Sequence, residues 1–285
     1  MARVAVIGLG RMGRGIARRL LARSHEVYGY DVAPKAYEQL QGAPGFHRLS
    51  NPSEAVGESD YVLLVLPDGA SVMNTLVFLK DYNGVVVNMT TVGLSEQARI
   101  ESMARDLRIN ILSAMIEGGP ANAEAGTLVF YVGGPRELYE RSANLLSDMG
   151  SYVYLGDHRT AVAMKLLSTL ILMSNTVVLA EAAQALRSLG LDVETVVKAL
   201  SMGGADSAQL RSRLPLMLSG QYKDLFSIDL AVYVAKEAVD AIKELGGAIT
   251  PVLSEVVEVL SAARKLGLGA HDIAEVFEMY RRLAG

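Results

Sequence analysis

Between Arg3 and Asp31 the chain runs strand, glycine turn, helix, strand, acid, and no other feature constrains the fold as tightly. The apolar run Val4 to Ile7 enters the turn Gly8-Leu9-Gly10-Arg11-Met12-Gly13, a helical stretch follows, and a second strand pattern closes at Asp31, eighteen residues past Gly13. Gly8 permits the tight turn, Gly10 lets the backbone approach a pyrophosphate, and Gly13 lets helix and strand pack closely. Phosphates then lie at a helix N-terminus, where unpaired amides and the helix dipole favour negative charge. Leu9, Arg11 and Met12 complete the turn and join the three glycines as cofactor-binding candidates. The alternative, glycines that only turn a tight corner, does not account for the acid that ends the second strand.

Short β-branched runs alternate with amphipathic stretches up to Gly156: residues 4–7, 26–31, 61–66, 85–88, 109–113, 128–132 and 152–155. Strands alternating with helices imply an α/β Rossmann-type, doubly wound and mostly parallel sheet covered on both faces. After Gly156 no convincing strand pattern appears, and helical periodicity runs on between glycine breaks. The expected organisation is a dinucleotide-binding domain over 1–156 and an all-helical substrate and dimerisation domain over 157–285. Residues 157–189 contain neither proline nor glycine, so they read as one interdomain helix roughly 45 Å long at 1.5 Å per residue. Its middle is apolar on nearly every face. The run between Lys165 and Glu181 is shorter than the roughly 20 residues a bilayer needs and contains Ser168, Thr169, Ser174 and Asn175. The expectation is therefore burial against its own domain and a second subunit, hence a homodimer and no membrane.

Composition narrows the function classes. The formal charge of −4 comes from 27 basic and 31 acidic residues without a basic block, which argues against nucleic acid as a partner. There is no cysteine, so disulfides, thiolate nucleophiles and thiolate-bound metals are excluded, and the four histidines show no metal spacing. The N-terminal residues do not have the pattern of a secretory signal, and the expected location is the cytoplasm.

In open α/β sheets ligands bind beyond the carboxyl ends of the strands. Leu66 and Pro67, Thr90 with Thr91, and Glu117-Gly118-Gly119-Pro120 follow strand patterns at that end, and Leu66, Pro67 and Thr90 are read as cofactor-binding candidates. Lys165 lies in the apolar stretch of the long helix. Desolvation of an ammonium weakens its hold on its proton, which suits it to proton transfer near neutral pH; the plainer alternative is a lysine whose head reaches water while its stem packs.

Together these pieces resemble the β-hydroxyacid dehydrogenase family, which includes 3-hydroxyisobutyrate dehydrogenases and semialdehyde reductases. The resemblance spans the chain and rests on the Gly8 turn, Leu66-Pro67, Thr90-Thr91, Gly118-Gly119 followed by Ala-Glu-Ala-Gly-Thr-Leu at residues 123–128, Gly133-Gly134, and a lysine nine residues after Gly156. It implies hydride transfer between a nicotinamide and a small 3-hydroxy acid or its semialdehyde, with Lys165 as general acid or base. The small-molecule substrate would meet Glu117, Gly118, Gly119, Thr169, Tyr233 and Lys236. Several of these depart from the family pattern: Glu117 stands where a serine is usual, Thr169 where an asparagine is usual, and Tyr233 where a lysine is usual, with Lys236 one turn on. Because Glu117 places a carboxylate where relatives hold a substrate carboxylate, it is expected to turn away, to be protonated, or to face a substrate that carries a cationic or donor group. Asp31 accepts hydrogen bonds from ribose hydroxyls and repels a 2′-phosphate, favouring NAD; Lys35 keeps NADP open, and Asp31 as a mere helix cap is the alternative. The competing functions are an imine or amino-substrate reductase on the same scaffold and a noncatalytic dinucleotide-binding module. An intact Lys165 speaks against both.

Overall fold

Val4 to Ile7, Val62 to Leu64 and Val85 to Val87 are all fully buried, the condition of parallel strands covered on both faces. In the computed structural model, which describes residues 1–223, 225–247 and 249–283, these runs become part of one eight-stranded sheet. The strands are β1 (Arg3–Ile7), β2 (Glu26–Tyr30), β3 (Phe46–Arg48), β4 (Tyr61–Leu64), β5 (Val85–Asn88), β6 (Ile111–Glu117), β7 (Leu128–Gly133) and β8 (Gly150–Tyr154), in the order β3-β2-β1-β4-β5-β6-β7-β8. Every neighbouring pair is parallel except β6 with β7. The order reverses between β1 and β4, and the crevice at such a switch point is where a dinucleotide sits.

Two strands depart most from the sequence expectation, the others by two residues or fewer at either end. β3 has three residues, of which only Phe46 is apolar, too little for a periodic signal. β6 starts and ends later than expected, because its antiparallel ladder with β7 runs from Ser113 opposite Gly133 to Glu117 opposite Val129. Glu117 is therefore the last residue of a strand and not part of the following loop.

The chain forms two compact units, Met1–Lys165 and Leu166–Gly285. The boundary falls inside one continuous helix, His158–Ser188, because a segment without proline or glycine has nothing to break its hydrogen-bond ladder. That helix is long and apolar enough to cross a membrane by length and composition alone. It also buries Leu166, Leu170, Met173, Val177 and Ala180 at the three- and four-residue spacing of one helix face, as a core helix does.

The first unit's core joins the sheet to the Arg11–Ala22 helix through Val4, Val6, Leu9, Ile16, Leu20, Leu63 and Val87. Each such side chain contributes about 1.5–3 kcal/mol by leaving water. The second unit is helical, its helices capped by Asp192, Ser207 and Ser227. One polar cluster ties its C-terminal part together: buried Arg213 pairs with buried Asp272, whose oxygens also accept the amides of Leu225, Phe226 and Ala274 at 3.0, 2.9 and 3.0 Å.

Candidate active site

The glycine turn is built for close approach. Gly8 has φ +98°, and a Cβ there would lie 2.2 Å from the Val65 carbonyl oxygen; one on Gly13 would lie 1.8 Å from the Gly8 carbonyl oxygen. Neither position admits another residue without displacing backbone. At Gly10 an added Cβ would meet nothing within 4 Å, so the space over this exposed glycine is open at the N-terminus of the Arg11–Ala22 helix. The cradle fits a pyrophosphate. Leu9 is fully buried, so only its backbone can serve a ligand; Arg11 is exposed and Met12 half-buried.

The Asp31 carboxylate joins this turn to the end of β2. One oxygen accepts the Leu9 amide at 2.7 Å and the other the Ala33 amide at 2.7 Å. The Tyr37 hydroxyl accepts the Asp31 amide at 2.7 Å and donates to the Asp31 carbonyl at 2.9 Å. Each carboxylate oxygen keeps a further acceptor position, so structural anchoring and ribose recognition are compatible. Lys35 is exposed.

At the ends of β4 and β5, the Thr90 hydroxyl accepts the Leu66 amide at 3.1 Å and donates to the Leu64 carbonyl at 3.3 Å. Thr90 is buried and pins the two strand ends together, a structural use of a residue expected at the cofactor. Leu66 is half-buried and Pro67 exposed. Buried Asn88 accepts the Thr90 amide through Oδ1 at 3.1 Å, and its Nδ2 has no hydrogen-bond partner among the described residues.

Lys165 is placed by the start of the long helix. A Cβ on Gly133 would lie 2.0 Å from the Asp157 carbonyl oxygen and 2.8 Å from the Ala161 Cβ, so the helix start packs directly on β7. Buried His158 bonds Ser113 of β6 through Nδ1 at 2.9 Å. Seven residues on, on the same helix face, Lys165 Nζ lies 3.3 Å from Glu117 Oε1, four residues beyond Ser113 on the same strand face. The helical step rises roughly 10.5 Å and the strand step roughly 13 Å. The helix therefore runs along β6, and its second contact is an ion pair.

That pair is the main feature the sequence did not foretell. The side chains of Lys165 and Glu117 are only 14% and 19% exposed, which excludes a Glu117 directed to solvent. The two are at ion-pair distance, yet Glu117 Oε1 is buried and lacks a properly directed hydrogen bond. The geometry is an electrostatic contact with an acceptor position left over. Burial pulls the Lys165 ammonium below its ordinary pKa, and the Glu117 carboxylate works against that pull. The signal available in sequence was the spacing: Ser113 and Glu117 share a strand face, and His158 and Lys165 share a helix face.

Gly118 has φ +114° and Gly119 opens the short helix Pro120–Ala125. The Gly119 amide donates to Asn122 Oδ1 at 3.0 Å, so this N–H, expected to meet substrate, is taken up by a cap. The short helix packs on the cofactor-turn helix: a Cβ on Gly15 would lie 2.8 Å from the Ala123 Cβ, and Arg18 pairs with Glu124 at 3.0 Å. The Glu117 turn is thereby held beside the helix that carries the glycine motif. In the second unit, Thr169 is buried one turn after Lys165, Tyr233 is half-buried and Lys236 exposed, the last two on the Ile228–Glu244 helix. Among the described residues no cluster of histidine and carboxylate side chains is arranged to hold a metal.

The sequence pattern of the NAD binding domain of 6-phosphogluconate dehydrogenase matches residues 3–156, more than half of the chain. Residues 160–280 match the NAD-binding region of NADP-dependent 3-hydroxyisobutyrate dehydrogenase. The chain belongs to the β-hydroxyacid dehydrogenase family. Its relatives include 2-(hydroxymethyl)glutarate dehydrogenase of Eubacterium barkeri, 28% identical over 99% of this chain and 96% of that protein. Another is 3-sulfolactaldehyde reductase of Escherichia coli, 29% identical over 100% of this chain and 98% of that protein. The fold is shared with Mycobacterium tuberculosis 3-hydroxyisobutyrate dehydrogenase, whose structure was determined with L-serine: TM-score 0.87, 24% identity, 99% of each chain covered. Membership makes this chain an NAD(P)-dependent oxidoreductase of the hydroxy-acid type, and the open space at Gly10 fits the nucleotide that role requires.

Proposed function

We propose that this protein interconverts a small 3-hydroxy acid and its semialdehyde, with Lys165 as the proton-transferring residue. The observation that carries the reading is a half-buried lysine at the carboxyl end of β6, its ammonium 3.3 Å from the carboxylate of Glu117, which ends that strand and whose following turn is packed against the glycine-motif helix. A nicotinamide, when bound, supplies or accepts the hydride. The chain does the rest: Gly8, Gly10 and Gly13 admit the pyrophosphate, Asp31 accepts ribose hydroxyls, and Lys165 gives its proton to the carbonyl oxygen or takes one from the hydroxyl. A carboxylate beside the ribose repels a 2′-phosphate, which supports NAD over NADP.

We also read the enzyme as a cytoplasmic homodimer. Met164, Ile171 and Val178, seven residues apart on the long helix, are 40%, 60% and 58% exposed, an apolar stripe that a second copy would cover. The reading is tested by following NADH and NADPH oxidation against a panel of semialdehydes, keto acids and cyclic imines, with Lys165→Met alongside. We expect semialdehydes to be reduced with NADH, and the variant to bind cofactor but lose at least about a hundredfold in turnover, the usual share of a positioned proton donor. Reduction of imines alone, or a fully active variant, overturns it.

A further inference from the structure

We infer that Glu117 is a specificity-determining residue: its carboxylate accepts a hydrogen bond from a hydroxyl or ammonium on the substrate carbon next to the reacting one. The inference rests on the hydroxy-acid reading above and names which hydroxy acids the site prefers.

The geometry leaves little freedom. A substrate oxygen that exchanges a proton with Lys165 must come within about 3 Å of Nζ. Nζ is itself 3.3 Å from Glu117 Oε1. An oxygen that approaches Nζ from the Glu117 side brings the reacting carbon and its neighbour within reach of the Glu117 carboxylate, and what that neighbour carries then faces it. A substrate carboxylate in that place would meet an anion, and the Lys165 charge that would otherwise attract it is already balanced by Glu117. Two like charges about 5 Å apart at the polarity of a protein site weaken binding by roughly a hundredfold. A donor in the same place finds an acceptor: Glu117 Oε1 is buried and, beyond its ion pair with Lys165 at 3.3 Å, has no donor directed at it among the described residues. A buried carboxylate oxygen in that condition gains from any donor a ligand brings. The acid group of the substrate then points away from Glu117.

The test uses three 3-hydroxy acids that differ only at carbon 2: 3-hydroxypropanoate with hydrogen there, racemic glycerate with a hydroxyl, and racemic serine with an ammonium. Oxidation kcat/KM is measured with NAD for the wild type, Glu117→Gln and Glu117→Ala, with cofactor affinity by fluorescence titration as the check that each variant is folded. We expect the wild type to favour glycerate or serine over 3-hydroxypropanoate by about ten- to a hundredfold, the yield of one hydrogen bond to a charged acceptor. Serine in the lead assigns an ammonium, and Glu117→Gln, which keeps an acceptor but not the charge, then loses that preference. Glycerate in the lead assigns a hydroxyl, and Glu117→Gln then keeps much of the preference while Glu117→Ala loses it. A wild type that prefers 3-hydroxypropanoate, or a preference unchanged in Glu117→Ala, overturns the inference and leaves the hydroxy-acid reading standing. Failure of the wild type to oxidise any of the three overturns that reading and the inference with it.

Discussion

Removing one partner of the Lys165–Glu117 pair should be worse for the fold than removing both. At 3.3 Å and an effective dielectric constant of 20, the attraction is about 5 kcal/mol before desolvation is subtracted. Fully buried pairs lose roughly 3–5 kcal/mol when one partner is deleted, because the other charge stays out of water without compensation. Both side chains here keep some contact with solvent, 14% and 19%, so the loss falls below that range, to about 2 kcal/mol. For a chain of this size that lowers Tm by roughly 4–8 °C. Lys165→Met keeps the stem and takes the ammonium away from the carboxylate, and Glu117→Gln keeps the shape and takes this carboxylate's charge away from the ammonium. The double variant buries two neutral side chains of similar volume and should return to within about 2 °C of the wild type. Thermal unfolding of the four proteins by circular dichroism measures this cycle, and turnover on the same samples separates it from catalysis, since Lys165→Met remains inactive with or without Glu117. Additive losses in the double variant would refute the argument that the two charges compensate each other.

Three further outcomes follow from the same structure. Asp31→Ala deletes an anion that accepts the Leu9 and Ala33 amides, so NAD affinity should fall and its advantage over NADP narrow, as read by nucleotide titration; a wild type that prefers NADP tenfold contradicts this. Carbonyl reduction needs Lys165 protonated and is lost as pH rises through its pKa; since Glu117 raises that pKa against the lowering by burial, Glu117→Gln should move the alkaline limb of the kcat profile to lower pH, and an unmoved limb would separate the carboxylate from the proton donor. Burial holds the His158 pKa below its ordinary value of 6.5, so the unfolded chain takes up the proton first; the stability this histidine contributes is complete above that value and falls as pH drops below it, and His158→Gln should flatten that part of the stability profile in urea titrations.

The dinucleotide turn was legible in the sequence because its requirements are local. Gly8 and Gly13 are demanded by backbone atoms within the same strand-turn-helix unit or on the adjoining strand, and Asp31 reaches Leu9 across one strand spacing, so residue type and spacing carry the message. The unbroken long helix was legible for the same reason: absence of proline and glycine is a property of consecutive residues. The family's lysine could be placed by its distance from Gly156. What Glu117 does could not. Its neighbour in space is 48 residues away in sequence, and whether a carboxylate at the end of β6 faces solvent or an ammonium depends on how the helix lies along the strand. That placement comes from the Ser113–His158 bond and from the space Gly133 leaves for the helix start; the shared faces of Ser113 with Glu117 and of His158 with Lys165 could be read from spacing, but not that the two faces meet. Likewise only the structure shows the Gly119 amide engaged by the Asn122 cap and the Thr90 hydroxyl accepting the Leu66 amide while donating to the Leu64 carbonyl. Short-range sterics and periodicity determined the fold class and the nucleotide cradle; long-range packing decided which polar atoms remain to meet a substrate.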